Sequence, residues 1–262
     1  MERLFIIKVG GAIIEDQQKM YEFLDGFTRV KAKKILVHGG GRSATGLAEK
    51  LHVVAKWHNG RRITDAEMLD IVVMTYAGRI NKKIVCHLQS LDTNAIGLTG
   101  ADADLITSDI RKKQPVDFGW VGDPVSVNTE ILKNFIETDL TPVIAPITHD
   151  KKGNLLNTNA DTITSAIGIA MSTYYDTECV YCFELDGVME DVNDPDSLID
   201  QINTTRFQSL QAEGKIVDGM VPKLESAFLS IQNGVKAVRI FPYKKVAHIM
   251  NDKNKVGTLI IE

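Results

Sequence analysis

The stretch Leu4-Phe5-Ile6-Ile7-Lys8-Val9-Gly10-Gly11 decides how the chain is read. Its nearly unbroken apolar run ends in two glycines. A strand reads this way when helices cover both faces of a parallel sheet and leave it no polar side. Ile35-Leu36-Val37-His38-Gly39-Gly40-Gly41 repeats the pattern, with an amphipathic segment at 16–31 between the two. That is a βαβ unit. Working outward, strands are predicted at Leu4–Val9, Lys34–His38, Ala95–Thr99, Thr141–Ala145, Cys179–Glu184, Lys236–Phe241 and Val256–Ile261. Helices are predicted at about 16–31, 42–52, 65–90, 128–138, 160–172, 205–213, 219–233 and 243–251. The expected fold class is α/β, an open and mostly parallel sheet sandwiched by helices. Two hairpins interrupt it as lids. One covers about 53–64 around a type I′ Asn59-Gly60 turn, the other about 103–127. With no Pro/Ser-rich linker and no internal repeat, 1–262 reads as one unit with lobes of about 1–170 and 171–262.

The 65–90 helix opens on Thr64-Asp65-Ala66-Glu67, a capping box with Thr64 as N-cap. Its apolar face includes Met68, Ile71, Val72, Thr75, Gly78 and Ile84. Ala77-Gly78 inside a helix costs stability, which points to close approach to the sheet or to contact with a second subunit.

Composition narrows the function. The chain has 262 residues, 44% hydrophobic, with 30 Lys+Arg against 34 Asp+Glu and a net charge of −4. No basic footprint for nucleic acid exists, and the basic runs Lys31–Lys34 and Arg111–Lys113 read as solvated turns. No apolar run approaches the ~18 residues of a membrane span. Met1-Glu2-Arg3 leads straight into a strand, with no room for a signal peptide. Three cysteines imply no disulfide framework. Cys179 and Cys182 form a C-x-x-C on a strand, where they point to opposite faces as structural residues in a reducing cytoplasm.

Glycine turns directly after strands let backbone N–H groups approach an anion. Two of them, one carrying Lys8, point to a phosphate compound. Gly41 and Gly46 have P-loop spacing, but Leu47-Ala48 follow where Lys and Ser/Thr are required. Gly39–Ala44 fits G-x-G-x-x-A, yet the region about 20 residues on is a hairpin with no ribose-binding acid closing a strand. A dinucleotide-binding oxidoreductase is therefore the weaker alternative. Asn157-Thr158-Asn159-Ala160-Asp161 and Asp218-Gly219-Met220-Val221-Pro222-Lys223 each enter a helix.

Together these motifs resemble the amino-acid kinase family, in order and over essentially the whole chain, including Gly257-Thr258. The segment Asn59-Gly60-Arg61-Arg62-Ile63-Thr64 resembles the branch that phosphorylates N-acetyl-L-glutamate. The resemblance implies a carbamate kinase-like fold and transfer of the ATP γ-phosphoryl group to a γ-carboxylate, in arginine biosynthesis. It implies Lys8 and Lys223 flanking the phosphoryl group, with Asp161 holding both. Gly40, Gly41, Arg62 and Asn157 would bind the acyl-amino acid. Gly10, Gly11, Glu184, Asp186, Gly187 and Ile216 would bind ATP, whose phosphates carry Mg2+, so no protein metal ligand is expected.

The resemblance also implies a cytoplasmic enzyme of small-molecule substrates, a homodimer through the 65–90 helix region. Lacking a hexamer-forming N-terminal helix, it would be insensitive to arginine. Three departures stand out: Glu184 where the family usually has Asp, Ala103 where Gly is common, and Arg42 after the triple glycine. If Arg42 faces the substrate, the acyl group is larger or anionic, as in N-succinyl-L-glutamate. A non-catalytic amino-acid or nucleotide sensor on the same fold is the competing class, and it has no need to keep both lysines.

Overall fold

A computed structural model describes every residue except 192, 193, 195, 217–219 and 252–255. Asp218-Gly219 of the lysine motif, and the predicted helix start at 219, lie outside the described residues. The main sheet contains β1 (Arg3–Val9), β2 (Lys33–His38), β3 (Ala95–Leu98), β4 (Thr141–Ile144), β5 (Asp176–Phe183), β6 (Gln201–Ile202), β7 (Ala237–Pro242) and β8 (Thr258–Ile260). Their order across the sheet is β6-β8-β7-β5-β1-β2-β4-β3. Every neighbouring pair is parallel except β7 with β8. The α/β class holds, with strands from both halves of the chain in one sheet.

Alternation along β1 sorts the core. Phe5, Ile7 and Val9 pack with α1 (Gly11–Glu15), α2 (Gln17–Thr28), α3 (Gly41–Lys50), α4 (Ala66–Val73) and α5 (Asn81–Ser90). Leu4 and Ile6 pack with α6 (Thr129–Glu137), α7 (Ala160–Met171), α8 (Thr204–Ala212) and α9 (Val221–Gln232). The two buried cysteines divide the same way, Cys182 into the first cluster and Cys179 into the second. Burial raises both thiols to about 12, which leaves them inert.

A second, four-stranded sheet gathers Ile106–Ile110, Gly122–Val127, Ile147–His149 and Leu155–Asn157. A third pairing joins Lys56–His58 to Arg61–Ile63. Asn59 and Gly60, at φ 48° and 71°, make the two-residue turn between them, in the left-handed backbone that Asn-Gly supplies. Both predicted hairpins are present.

The long helix differs from its sequence reading in three ways. Asp65, not Thr64, is the N-cap, accepting from Met68 N at 3.0 Å. Thr64 is drawn away because its backbone pairs with Phe118 and Trp120 (2.9 and 2.7 Å). The middle, Met74–Ile80, winds as a π-helix, and Gly78 is exposed with nothing within 4 Å of a notional Cβ. Close approach to the sheet therefore does not explain Gly78. The segment read as a helix over 243–251 is a 3-10 helix at Tyr243–His248.

The basic runs are solvated only in part: Lys31, Lys112 and Lys113 are exposed, but Lys34 and Arg111 turn inward. Lys34 buries its ammonium against the Phe27, Thr28 and Val30 carbonyls that end α2 (2.9, 3.3 and 2.8 Å), and burial lowers it to about 8. Arg111 pairs with Asp123.

Candidate active site

The carboxyl ends of β1, β2 and β5 meet at the two glycine turns. Gly39 N donates to the Val9 carbonyl (2.9 Å), which locks one turn against the other. The second turn also abuts the long helix. A Cβ on Gly40 would lie 2.4 Å from Ile80 Cδ1 and 3.0 Å from the Tyr76 ring, so only glycine lets the helix come this close. Behind the turn His38 is fully buried. Its Nδ1–H donates to the Gly39 carbonyl (2.8 Å), while Nε2 accepts from Asn81 Nδ2 (3.3 Å). Asn81 Nδ2 also donates to the Val143 carbonyl (2.9 Å).

Two adjoining cavities open here. The first, of about 270 Å³, is lined by Lys8, Gly11, Gly40, Gly41, Arg62, Asn157 and Asp161 among the expected residues. Trp57, Arg61, Tyr76 and Arg111 also line it. Four cationic side chains face one carboxylate, an arrangement suited to an anionic ligand. Arg62 is held by donating to the Gly41 carbonyl and Thr45 Oγ1 (2.8 and 2.9 Å), with its guanidinium 4.3 Å from the Trp57 ring centroid. Burial lowers the Arg62 pKa, with Tyr76 opposing. Asn157 donates to Thr64 Oγ1 at 2.9 Å. Asn159, the N-cap of α7, accepts from Asp161 N and Thr162 N (2.7 and 3.3 Å), which sets Asp161 in the helix's first turn.

The second cavity, of about 210 Å³, shares Arg61, Asn159, Asp161 and Thr162 with the first. Its own wall holds Lys223 and the apolar or aromatic residues Tyr181, Phe183, Ala227, Val238, Ile240 and Ile260. Asp161 stands on the partition, ion-paired to Lys8 Nζ at 2.8 Å. Burial lowers the Lys223 pKa, with the Asp161 charge opposing and the Lys8 charge adding. A Cβ on Gly10 would sit 3.8 Å from Lys8 Nζ.

Glu184, Asp186, Gly187 and Ile216 line neither cavity. β5 ends at Phe183, and alternation turns that ring, not the Glu184 carboxylate, into the cavity. Glu184 instead meets Lys19 of α2 (2.5 Å), and Asp186 meets Lys245 (3.4 Å). Gly187 packs on Thr258, and Ile216 belongs to the buried core with Phe207 and Leu224. Arg42 is exposed and off the wall. Arg111, hidden in a basic run, supplies the extra guanidinium.

A sequence model of the amino acid kinase family matches residues 3–242. An acetylglutamate kinase of Cytophaga hutchinsonii is 45% identical over 262 residues, covering 100% of this chain and 99% of that protein. One of Bacteroides fragilis is 49% identical over 239 residues, 91% of this chain and 92% of its own. The structure of carbamate kinase from Giardia lamblia bound to AMP-PNP superposes with a TM-score of 0.69 over 100% of this chain and 98% of that one. At 13% identity this shows a shared fold. Matched nearly end to end by the family's sequence pattern and by full-length relatives, the chain belongs to the amino acid kinase family.

Proposed function

We propose that the chain phosphorylates the γ-carboxylate of N-acetyl-L-glutamate with ATP, a step of arginine biosynthesis. The observation that carries this reading is the partition. Asp161 and its partner Lys8 separate a cation-lined cavity from a partly apolar one that presents Lys223. The first suits a small dicarboxylate and the second a nucleotide, so the reacting groups meet at Lys8, Asp161 and Lys223. Full-length relatives named acetylglutamate kinase support the choice of substrate.

One γ-carboxylate oxygen attacks the γ-phosphorus as the bond to the β,γ-bridging oxygen breaks. ADP leaves with that electron pair and an acyl phosphate forms. Negative charge spreads over the transferring oxygens, and catalysis is alignment plus positive charge held in place. Lys8 and Lys223 supply that charge, and Asp161 fixes their approach. Arg62 and Asn157 orient the amino acid. The N–H groups of the Gly10–Gly11 and Gly40–Gly41 turns receive its anionic groups and the phosphates. Among the described residues no three His, Cys, Asp or Glu side chains cluster to hold a metal. Magnesium would travel on the nucleotide phosphates.

Purified protein should release ADP only when N-acetyl-L-glutamate is present and yield a hydroxylamine-trappable acyl phosphate. Lys8→Ala should lower kcat by roughly 10²–10³-fold. Absence of the trapped product, or an unimpaired Lys8→Ala enzyme, overturns the reading. Because Arg111 rather than Arg42 reaches the cavity, N-succinyl-L-glutamate is the second substrate to assay. The two lobes of about 1–170 and 171–262 would carry the amino acid and the nucleotide. The enzyme would work in the cytoplasm as a homodimer, joined along the long helix where Met74 is 53% exposed beside Gly78. Among the described residues no helix is long and apolar enough to cross a membrane.

A further inference from the structure

Lys8 and Lys223 share a single carboxylate, and Lys8 takes it at 2.8 Å. Among the described residues no carboxylate lies within ion-pairing distance of Lys223, although the Asp161 charge acts on it from further off. What Lys223 does meet is a ring. Its Nζ sits 4.5 Å from the Phe183 centroid, and Lys8 Nζ lies 5.8 Å from the same centroid. An ammonium within about 6 Å of an aromatic face is attracted by the ring quadrupole.

The placement of the ring follows from the sheet. Lys8 pairs in register with Tyr181 of β5, and Phe183 is two residues further on the same face, at the end of the strand. Tyr181 anchors this corner, with its hydroxyl 3.0 Å from Ser165 Oγ of α7, which in turn accepts from Ser230 of α9 (3.1 Å). The two helices that carry Asp161 and Lys223 are thereby tied together beneath the ring.

We propose that Phe183 is a positioning residue for phosphoryl transfer, a shared aromatic platform that holds both ammonium groups toward the partition between the cavities. The proposal rests on the kinase reading above. A second carboxylate beside Lys223 would hold it equally well. However, it would cancel the positive charge that the transferring oxygens need and occupy N–H donors that must reach phosphate. The ring restrains the ammonium without neutralising it. It also keeps water from one side of Lys223, which strengthens the lysine's field at the phosphoryl group.

The test compares Phe183→Leu, which keeps an apolar side chain but loses the quadrupole, with Phe183→Tyr, which keeps the ring. The Leu variant should lose about tenfold in kcat with KM for the amino acid changed less than about twofold, and the Tyr variant should recover most of the loss. Equal kcat in wild type and the Leu variant, or an equal loss in both variants, overturns the proposal, the latter leaving a packing role only. A second readout does not depend on turnover. After reductive 13C-dimethylation of lysines, the Lys223 methyl resonance, assigned with Lys223→Arg, should be shifted upfield by the ring current in wild type and in Phe183→Tyr. In Phe183→Leu it should return to the ordinary lysine position. An unshifted wild-type resonance overturns the platform even if the enzyme is active. An inactive wild type with the shift present overturns the kinase reading and leaves the ring contact standing.

Discussion

At Ala103 the backbone takes φ 52° and ψ 31°, and Asp104 beside it has φ 54°. The left-handed region costs an L-residue with a Cβ roughly 1–2 kcal/mol, and glycine avoids that cost. A glycine here would avoid that cost, which makes Ala103 a strained occupant of the position. Ala103 is exposed, so little packing is lost on replacement. Ala103→Gly should stabilise the protein by about 0.5–1 kcal/mol, the relief of strain less the extra freedom glycine has in the unfolded chain. Urea unfolding measures it, and a loss of stability would contradict the strain argument. Other single residues were not legible in the same way. Lys8, Arg62, Asn157 and Asp161 stood in motifs and do line the first cavity. Arg111 stood in a run of three basic residues, where local composition says nothing of the Asp123 carboxylate that turns it inward. Phe183 looked like strand core. Its exposure to the cavity depends on β5 ending at that residue, one earlier than the expected Glu184.

At the scale of elements, the long helix does more than cover the sheet. Its π-helical segment ends at Ile80, and Asn81 follows immediately, bridging the His38 ring on β2 and the Val143 carbonyl on β4. π-segments are frequent at functional sites, and this one delivers Tyr76, Ile80 and Asn81 to one glycine turn. Nothing in the sequence announced it, because the amphipathic pattern of 65–90 is equally consistent with a regular helix. The strands 147–149 and 155–157 were similarly obscured, being too short for alternation to register.

The network has a consequence for acid stability. Burial lowers His38 to about 4, the adjacent Gly39 carbonyl opposing, against about 6.5 in an unfolded chain. Between those values the unfolded chain takes up a proton that the folded one refuses. The stabilising effect of neutral His38 is therefore complete above pH ~6.5 and lost as pH falls toward ~4, by about 3 kcal/mol in all. His38→Gln should flatten the pH dependence of the urea midpoint across that window by close to one proton. Identical slopes for the two proteins would mean that His38 titrates normally in the folded state.

At the scale of the whole molecule, charge sets how substrates arrive. The chain carries a net charge of −4, so ATP and a dicarboxylate are not drawn in by its overall field. On the proposed kinase reading, attraction comes from Lys8, Arg61, Arg62 and Arg111 in one cavity and Lys223 in the next. Asp161 and Asp123 already pair with two of these. Salt separates long-range steering from local contact. The Debye length is about 10 Å at 0.1 M and about 3 Å at 1 M, so steering collapses with added salt while partly buried contacts are screened much less. An enzyme drawing anions through a positive global field would lose tenfold or more in kcat/KM on moderate salt addition. Here kcat/KM for N-acetyl-L-glutamate, measured at fixed MgATP, should fall by less than about threefold between roughly 0.05 and 0.5 M potassium chloride. A steep fall would place the attraction outside the cavity and remove the basis for assigning capture to these few cavity cations. A shallow one, combined with a large loss in Arg62→Lys, would locate it at the guanidinium wall, since lysine cannot reproduce the planar fork that grips a carboxylate.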